Sequence, residues 1–361
     1  MSKINELFTS KINVINVGIE LFKDDILAQN ASATHLEWSP PGGGKPEIIA
    51  ALNNIDKAEL AEKIEAANRL AVEKIVNSQP VLIGFDQAIN VVPGMTKKTI
   101  LHAGPPITWE NMNGPMKGAV MGALVFEGLA KDLEEAAEVA ASGDITFSPC
   151  HEHNAVGSMA GGVTSASMFM HIVENKTYGN IAYTNLSEQM AKILRMGAND
   201  DSVVERLIWM RDVLGPILRD AMKLNKDGID LRLMLAQALH MGDECHNRNN
   251  AGTSLLIQAL TPYILETDYP VEQKRAVFDF VASSDYFSGP TWMACCKCAL
   301  DAAHGIEYST VVTTMARNGV EFGVRISGMP GNTWFTGPAQ KVIGPMFAGY
   351  KPEDSGLDIG G

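Results

Sequence analysis

Four short blocks in this sequence combine side chains that transfer protons or hold anions with glycines that free the backbone. They read His-Ala-Gly-Pro-Pro at 102–106, Cys-His-Glu-His-Asn-Ala-Val-Gly at 150–157, Gly-Asp-Glu-Cys-His-Asn-Arg-Asn at 242–249 and Arg-Asn-Gly at 317–319. A packing core does not need that combination, whereas a loop whose backbone closely approaches a small polar ligand does. We therefore take these blocks as the candidate functional residues.

The 102–106 block follows a predicted strand, which is where open α/β sheets place their ligand-binding loops. Its candidate substrate-binding residues are His102 and Gly104. Lys117 joins them as a candidate because it falls in the first turn of the next predicted helix, where the helix dipole also favours anions. The alternative interpretation is a proline-rich connection followed by a surface lysine.

The 150–157 block has histidines at alternate positions, and such a pair could hold zinc with Cys245 or His246 completing the set. No second short-spaced pair stands at a zinc-site spacing, and the glycine-rich continuation to residue 162 is more typical of a backbone cradle. We therefore expect acid–base or anion-binding chemistry here, and no metal or cofactor. The candidates are catalytic His151 and substrate-binding His153, Asn154, Gly157, Gly161 and Gly162.

The 242–249 block continues a helical pattern with an unbroken run of polar residues. Asp243 and His246 are three residues apart and share one helix face, so Asp243 could orient a catalytic His246. The substrate-binding candidates in this block are Glu244, Arg248 and Asn249. The alternative interpretation is a solvated helix end.

Two arginines surround the turn of the 317–319 block. Arginine binds carboxylate and phosphate groups with two parallel hydrogen bonds. Arg317, Asn318 and Arg325 are therefore candidate substrate-binding residues, and surface salt bridges are the alternative. We expect all four blocks to meet in one pocket between domains, where ligand sites are common.

Composition excludes several classes of protein. The 361-residue chain carries a formal net charge of -13, which argues against nucleic acid or an anionic membrane as a partner. It has no apolar stretch near the roughly 20 residues of a membrane span and no signal-peptide pattern. Five cysteines, an odd and clustered number, favour reduced thiols and a cytoplasmic location.

The elements that must position the blocks follow a changing periodicity. Alternating or short apolar runs predict strands at 13–18, 33–38, 81–85, 99–102, 145–148, 165–173, 321–326 and 333–336. Apolar residues at helical spacing predict helices at 20–29, 56–77, 117–130 and 132–141, and helices almost throughout 190–304.

This pattern predicts an α+β multidomain fold with an N-terminal α/β domain, a central mainly helical domain and a returning β-containing segment. The predicted divisions are an α/β domain at 1–130, an α+β segment at 131–189 that carries the loop from Cys150 to Gly162, a helical domain at 190–304, and a β-containing segment at 305–361 that packs back on the α/β part.

Longer motifs that contain or flank the blocks stand in order over about residues 70 to 335. They are Leu-His-Ala-Gly-Pro-Pro-Ile-Thr-Trp-Glu at 101–110, Gly-Pro-Met-Lys-Gly-Ala at 114–119, Pro-Cys-His at 149–151, Asn-Ala-Val-Gly at 154–157, Trp-Met-Arg-Asp-Val-Leu at 209–214, Gly-Asp-Glu at 242–244 and Arg-Asn-Gly at 317–319. Together they resemble the YlbE/AllG family, and the leading segment with Trp38 is similar to the N-terminal extension of longer members.

The resemblance implies a subunit of a bacterial oxamate carbamoyltransferase in allantoin degradation. That enzyme interconverts oxalurate plus phosphate with oxamate plus carbamoyl phosphate, and it works with FdrA-like and YlbF-like subunits. The resemblance therefore implies a small anionic substrate (carbamoyl phosphate, oxamate or oxalurate) and these protein partners. We also expect self-association into a homo-oligomer.

Two departures bear on this expectation. Family members usually continue past a pair like Gly360-Gly361, so we expect the chain to be a fragment or to lack a C-terminal segment. The chain also lacks the Ser-Thr-Arg-Thr-Arg loop of the aspartate and ornithine transcarbamoylases, so carbamoyl transfer here would use another scaffold. Two alternatives stay open: a non-catalytic binding or assembly subunit, and a metal-dependent hydrolase using His151 and His153.

Overall fold

The fold is α+β, as the sequence predicts, with strands and helices mixed along the chain. The structure, a computed structural model, describes Ser10 and residues 13–157, 162–189, 192–284 and 286–338, with the backbone alone for Cys245. The chain divides into two compact units, Met1–Lys63 and Ile64–Gly361. Each unit is taken separately below.

The first unit is a β–α–β arrangement followed by a helix. Strands β1 (Asn13–Val17) and β2 (Ser32–Leu36) are parallel, and helix α1 (Leu21–Ala28) connects them. Parallel strands need such a crossover because the chain must return to the same end of the sheet. The predicted elements of this stretch are thereby confirmed. Helix α2 (Pro46–Ile55) follows and begins on a proline, a residue favoured at that position.

The second unit is built on a five-stranded sheet. Neighbouring strands are antiparallel except β6 and β9, which are parallel. The spatial order is β10-β3-β8-β9-β6. In the same order, the strands comprise Ile229–Asp230, Pro80–Gln87, Phe169–Asn175, Ile181–Asn185 and Ala155–Val156. The register places His171 between Phe85 on β3 and Thr184 on β9, so a histidine lies in the middle of the buried sheet.

Two smaller sheets position three of the four blocks. One has the order β5-β4-β7, and these strands comprise, in that order, Thr146–Pro149, Thr99–His102 and Val163–Thr164. The other is antiparallel with the order β11-β12-β13, from Val312–Arg317, Glu321–Ile326 and Phe335–Pro338. Since β4 and β5 are parallel and His102 pairs with Pro149, the 102–106 and 150–157 blocks leave the same end of one sheet.

Helices cover the sheets, and residues 192–304 are mainly helical as predicted, β10 being the strand described there. A π-helical turn, Met210–Leu214, joins α7 to α8. Among the described residues, no helix is long and apolar enough to cross a membrane. The helices are α3 (Ala58–Asn77), α4 (Ala88–Val91), α5 (Gly114–Phe126), α6 (Leu133–Ala141), α7 (Asp201–Trp209), α8 (Gly215–Leu224), α9 (Leu231–Met241), α10 (Cys245–Glu266), α11 (Val271–Ala282) and α12 (Gly289–Asp301).

Strand pairing links segments that are far apart in the sequence. β3 pairs with β8 on one side and with β10 on the other, so residues 80–87 share a sheet with residues 169–175 and 229–230. The boundaries expected at residues 130, 189 and 304 stay predictions.

One predicted strand starts later than expected. The alternation at 165–173 predicts extended backbone throughout, but β8 begins only at Phe169. The preceding residues form a turn in which the carboxylate of Glu127 accepts hydrogen bonds from the Ser165 hydroxyl and from the backbone N–H and hydroxyl of Ser167. Side-chain hydrogen bonds to a turn outweigh the strand pattern here.

Candidate functional site

The 102–106 and 150–157 blocks touch through their backbones. The N–H of Ala103 donates to the carbonyl oxygen of Gly162, with an N–O distance of 3.0 Å. A Cβ added at Gly157 would lie 2.9 Å from the Cβ of Ala103, so only glycine fits between these strand ends. Gly157 and Gly162, the two ends of the predicted cradle, therefore lie beside the first block. Gly161 lies outside the described residues.

The 317–319 block packs directly on Gly104. This glycine has a φ of 80°, and a Cβ there would overlap the backbone nitrogen of Asn318. The Asn318 side chain donates to the carbonyl oxygen of Pro105 at 3.0 Å and accepts from the backbone N–H groups of Val320 and Glu321. Asn318 is thus a buried residue that holds two blocks together. The prediction that it binds substrate is untested.

The N-terminus of α5 completes this region. Asn113 caps the helix by accepting from the N–H of Met116, and its side chain contacts the Cα of Gly319 closely enough to exclude a Cβ there. Arg317 lies over the ring of Phe322, and one of its terminal nitrogens, Nη1, is buried with no hydrogen-bond partner among the described residues. Arg317 therefore keeps a guanidinium nitrogen with which it can bind an anion such as a carboxylate or phosphate.

Lys117 lies on the same helix end but is already engaged. Its ammonium donates to the carbonyl oxygen of Glu110 at 3.2 Å and lies 5.4 Å from the centre of the Trp109 ring. The Trp109 ring in turn stacks on Phe147. These contacts hold Lys117 beside Trp109. The ammonium has three N–H groups, so it can keep this hydrogen bond and still donate to an anion.

His102 is fully buried and presents an acceptor. Its Nδ1 is 2.9 Å from the carbonyl oxygen of Ala103, so Nδ1 must carry the proton. Burial lowers the pKa of His102 to about 4, only partly opposed by that hydrogen bond. The ring is therefore neutral near pH 7, and its Nε2, which has no partner among the described residues, is a proton acceptor.

His151 lies in a cleft of about 540 Å³ in the second unit. Its Nδ1 is 3.2 Å from the Nζ of Lys297, which in turn lies 2.9 Å from a carboxylate oxygen of Asp301. Lys297 is only 3% exposed, and a lysine is buried to that extent only when paired. Burial lowers the pKa of His151 well below its ordinary value, assisted by the nearby charges of Lys297 and Arg325.

Arg325 forms one wall of this cleft and is largely committed to structure. Its Nη1 donates to the carbonyl oxygen of His151 at 2.8 Å, and its Nη2 donates to Gly331 and to the side chain of Asn332. Its guanidinium lies 5.8 Å from the ring centre of Trp334. Burial lowers the pKa of Arg325. The guanidinium therefore orders the backbone at His151 and adds positive charge to the cleft.

The remaining cleft wall mixes acids, amides and a histidine. Other polar residues that line it are Glu152, Asn154, Asn180, Asp301, His304 and Asn332. Burial and the nearby Arg325 lower the pKa of His304. Arg325 is the cation among the lining residues, and Glu152 and Asp301 are the carboxylates, so the cleft offers hydrogen-bonding groups and charges of both signs to a small polar molecule.

His153 has a structural environment. Its Nδ1 is 2.6 Å from the carbonyl oxygen of Pro93 and its Nε2 is 2.8 Å from the hydroxyl of Ser148. Both ring nitrogens are occupied, so neither is left for a metal in this arrangement. Within the described ranges, no group of three histidine, cysteine or acidic residues could hold a metal ion. These contacts do not favour the alternative that pairs His151 with His153.

The 242–249 block forms the start of α10. Glu244 caps the helix by accepting from the backbone N–H of Asn247, and its other oxygen is 2.6 Å from the Nδ1 of His246. Asp243 accepts from the Asn247 side chain, while Arg248 donates to the carbonyl oxygens of Gly242 and Asp243. Glu244 is a carboxylate that contacts His246, and the orienting role expected for Asp243 stays a prediction. The contacts described here are those of a helix start.

A second cavity is small. Its volume is about 30 Å³, room for about two water molecules. Asn185, Glu188 and Arg195 line it, and burial lowers the pKa of Arg195. It is too small for an oxamate-sized molecule, and we assign it no role.

Sequence reasoning missed Lys297, Asp301 and His304. In the run Cys295-Cys296-Lys297-Cys298, Cys295 and Cys298 are small buried residues, whereas Cys296 is exposed. A charged residue among small apolar ones on a helix is the signal that could have identified Lys297. The spacing of Lys297 and Asp301, four residues apart, is that of a helical ion pair.

The fold and the site thus define an α+β protein with a polar, histidine-containing cleft beside a glycine-rich backbone junction. Comparison with known proteins places it in a family. Residues 145–361 match the family described as "Oxamate carbamoyltransferase subunit AllG". The chain is 44% identical over 298 residues to oxamate carbamoyltransferase subunit AllG of Escherichia coli, covering 82% of this chain and 71% of that protein. The chain belongs to the AllG family.

Two further relatives have no stated function. An uncharacterised Escherichia coli protein, YahG, is 77% identical over 354 residues, which cover 98% of this chain and 74% of YahG. A crystal structure of a conserved protein of unknown function from Enterococcus faecalis is similar with a TM-score of 0.79 and 71% identity, covering 83% of this chain and 71% of that one. The fold is therefore shared with an experimental structure.

Proposed function

We propose that this chain is a subunit of a carbamoyltransferase of the oxamate type, acting in allantoin and purine nitrogen catabolism. The reaction is oxalurate plus phosphate giving oxamate plus carbamoyl phosphate. The observation that carries the proposal is the chain's membership of the AllG family, with 44% identity to an oxamate carbamoyltransferase subunit. The polar cleft and the neighbouring glycine-rich junction support it.

The reaction sets three requirements. A phosphate oxygen attacks the terminal carbamoyl carbon of oxalurate, the bond from that carbon to the oxamate nitrogen breaks, and this nitrogen takes up a proton. The carbonyl oxygen gains negative charge on the way. The site must therefore hold two anions, stabilise an oxyanion and supply a proton.

The structure offers groups for each requirement. Arg317 and the start of α5 are suited to an anion, since one guanidinium nitrogen there has no hydrogen-bond partner among the described residues. Backbone N–H groups near Gly157 and Gly162 are our candidates for the oxyanion. Lys117, Arg248 and Arg325 stay further candidates for holding the anions. His151, and His246 with Asp243, stay the candidates for proton handling.

The proposal extends to partners and location. We propose that the chain acts in the cytoplasm, self-associates and works with FdrA-like and YlbF-like subunits. The subunit name of its relative supports a multi-subunit assembly. An assembly role without catalytic residues is the competing hypothesis, and the experiment below separates the two.

Reconstitution tests this proposal. The full chain, purified alone, is expected to be folded and nearly inactive towards oxalurate with phosphate, whereas mixing it with the FdrA-like and YlbF-like proteins is expected to produce carbamoyl phosphate. Carbamoyl phosphate is measured by adding carbamate kinase and ADP and detecting the ATP that forms. Full activity from the single chain contradicts the partner requirement. If the proteins are folded and assembled but form no carbamoyl phosphate, the proposed reaction is wrong.

Variants separate a catalytic from an assembly role. Arg317→Gln and His246→Ala in the assembled complex are expected to lower activity if those residues bind or handle substrate. Arg69→Gln is the matched control because Arg69 lies exposed on α3 in a pair with Glu65. Assembly with unchanged activity in both site variants favours the assembly role.

A further inference from the structure

Three buried polar atoms on residues that line the cleft have no hydrogen-bond partner among the described residues: His151 Nε2, Asn180 Oδ1 and Arg325 Nε. The His151 ring is buried, only 6% exposed, and its Nε2 has no hydrogen-bond partner among the described residues. The residue nevertheless lines the open cleft of about 540 Å³. Burying a polar group without a partner is unfavourable, so such an atom on a residue that lines a cleft indicates a ligand.

The contact with Lys297 decides which ring nitrogen carries the proton. The Lys297 ammonium is paired with Asp301 at 2.9 Å and has only protons to offer. At 3.2 Å from His151 it donates to Nδ1, so Nδ1 must be the unprotonated nitrogen. The neutral ring therefore has its proton on Nε2, and the unpartnered atom is a donor.

The surroundings keep this ring neutral. Lys297 and Arg325 approach it from α12 and β12, and His304 lies near them at the end of α12. The carboxylates in the cleft, those of Asp301 and Glu152, are engaged elsewhere: Asp301 binds Lys297, and Glu152 accepts from the indole N–H of Trp334. Burial is the largest cause that lowers the pKa of His151.

We propose that His151 is a neutral hydrogen-bond donor whose Nε2–H binds an oxygen of a small 2-oxo amide anion, the oxamate class, and that Lys297 positions it by fixing its tautomer. A neutral imidazole can polarise a carbonyl oxygen in this way. As the bond to the carbamoyl carbon breaks, the leaving oxamate amide shares its negative charge between nitrogen and oxygen; His151 stabilises that charge at the oxygen and does not transfer a proton. This inference rests on the proposed function and refines the acid–base role predicted for His151.

Nitrogen spectroscopy of the histidines tests the tautomer without any assay of activity. The full chain is labelled with ¹⁵N-histidine, and His151 is assigned with His151→Gln. We expect a protonated Nε2 and an unprotonated Nδ1 that do not change from pH 5 to 8. A protonated Nδ1, or titration near 6.5 in the unaltered chain, overturns the inference.

Variants of Lys297 test its positioning role. Lys297→Met is expected to give a mixture of tautomers, and Lys297→Gln, which keeps an N–H donor, to restore the Nε2 tautomer in part. Lys176→Met is the matched control because Lys176 is an exposed lysine paired with Glu174. An unchanged His151 spectrum in Lys297→Met shows that Lys297 has no such role.

Ligand addition tests the substrate class. Oxamate, used as the probe, is expected to shift the Nε2–H signal of His151, whereas inorganic phosphate alone is not. A shift with phosphate and none with oxamate overturns the assignment to an amide anion. These outcomes differ from failure of the proposed function, which is read from carbamoyl phosphate in the reconstituted mixture.

Kinetics provide a second measurement if the mixture is active. His151→Phe is expected to lower kcat by about a hundredfold, the effect of losing one oxyanion donor, with a smaller change in KM. The kcat of the unaltered complex is expected to show no pH dependence from His151 between pH 5 and 8. A change in KM alone contradicts a role in stabilising the developing charge on the leaving amide.

Discussion

Histidine serves three purposes in the candidate site, and the partners of its two ring nitrogens decide which. A backbone carbonyl makes His102 a neutral ring with an accepting Nε2, whereas an ammonium makes His151 a ring with a donating Nε2. His153 has both nitrogens occupied and supports the loop. Residue type alone therefore does not give the chemistry of a histidine.

Gly104 is the residue on which the junction of two blocks depends. Gly104→Ala is expected to destabilise the protein by about 2–5 kcal/mol, because an L-residue at positive φ costs about 1–2 kcal/mol and the overlap with Asn318 adds about 1–3 kcal/mol. Gly143→Ala is the matched control: Gly143 has a φ of 87° and open space around it, so only the backbone cost applies. Urea denaturation measures both, and equal losses contradict the packing argument.

At the scale of the element, the start of α10 shows how a conspicuous motif can serve a helix. Glu244 accepts from the backbone and side chain of the first turn, and Arg248 returns to the carbonyl oxygens before it. Both satisfy backbone groups that a helix end leaves open. This capping accounts for part of the polar run without a ligand, and the catalytic role of His246 stays a prediction.

The cap has a pH dependence with a definite sign. Hydrogen bonds from His246, then from the backbone of His246 and Asn247, lower the pKa of Glu244 to about 2 from 4.5. Since the folded state prefers the ionised form, the stabilisation is present above pH 4.5 and is lost as pH falls towards 2. Glu244→Gln is expected to show a smaller fall in Tm than the unaltered protein between pH 4.5 and 2. Glu205→Gln, which changes an exposed residue on α7, is the control and is expected to show the same fall as the unaltered protein. Parallel plots of Tm against pH for all three proteins would show that the Glu244 cap does not cause the loss of stability.

At the scale of the whole molecule, buried amides join segments that lie far apart in the sequence. Asn175 is fully buried at the end of β8. It accepts from the backbone N–H groups of Gln79 and Thr177 and donates to the hydroxyl of Ser78 and the carbonyl oxygen of Cys298. One side chain thus connects the start of β3, the end of β8 and α12, the helix that carries Lys297.

Removing this connection tests the coupling of sheet and helix. Asn175→Ala is expected to cost about 2–4 kcal/mol of stability, since it leaves buried donors and acceptors without partners. Asn111→Ala is the matched control: Asn111 is exposed, its side chain bonds Thr108, and its loss is expected within about 0.5 kcal/mol. Thermal and urea unfolding measure both, and a loss below 1 kcal/mol at Asn175 would show that the connection contributes little.

The sequence by itself determined the α+β class, most element positions and the blocks worth examining. Strands β4 and β12 have the predicted bounds, and α3 begins two residues late and ends as predicted. Periodicity, prolines and caps act within a few residues, so they can be read from local sequence. The motifs also carried the family resemblance, which the comparisons confirm.

Only the tertiary structure decided which groups meet and in what protonation state. Lys297 contacts a histidine 146 positions away, and Asn318 binds a loop 213 positions away. No local pattern encodes such approaches, because strand pairing and helix packing set them over the whole chain. Burial then lowers the pKa of His102 and His151, and the neighbour of each Nδ1 selects the tautomer. Charge and proton position depend on surroundings that exist only once the chain has folded.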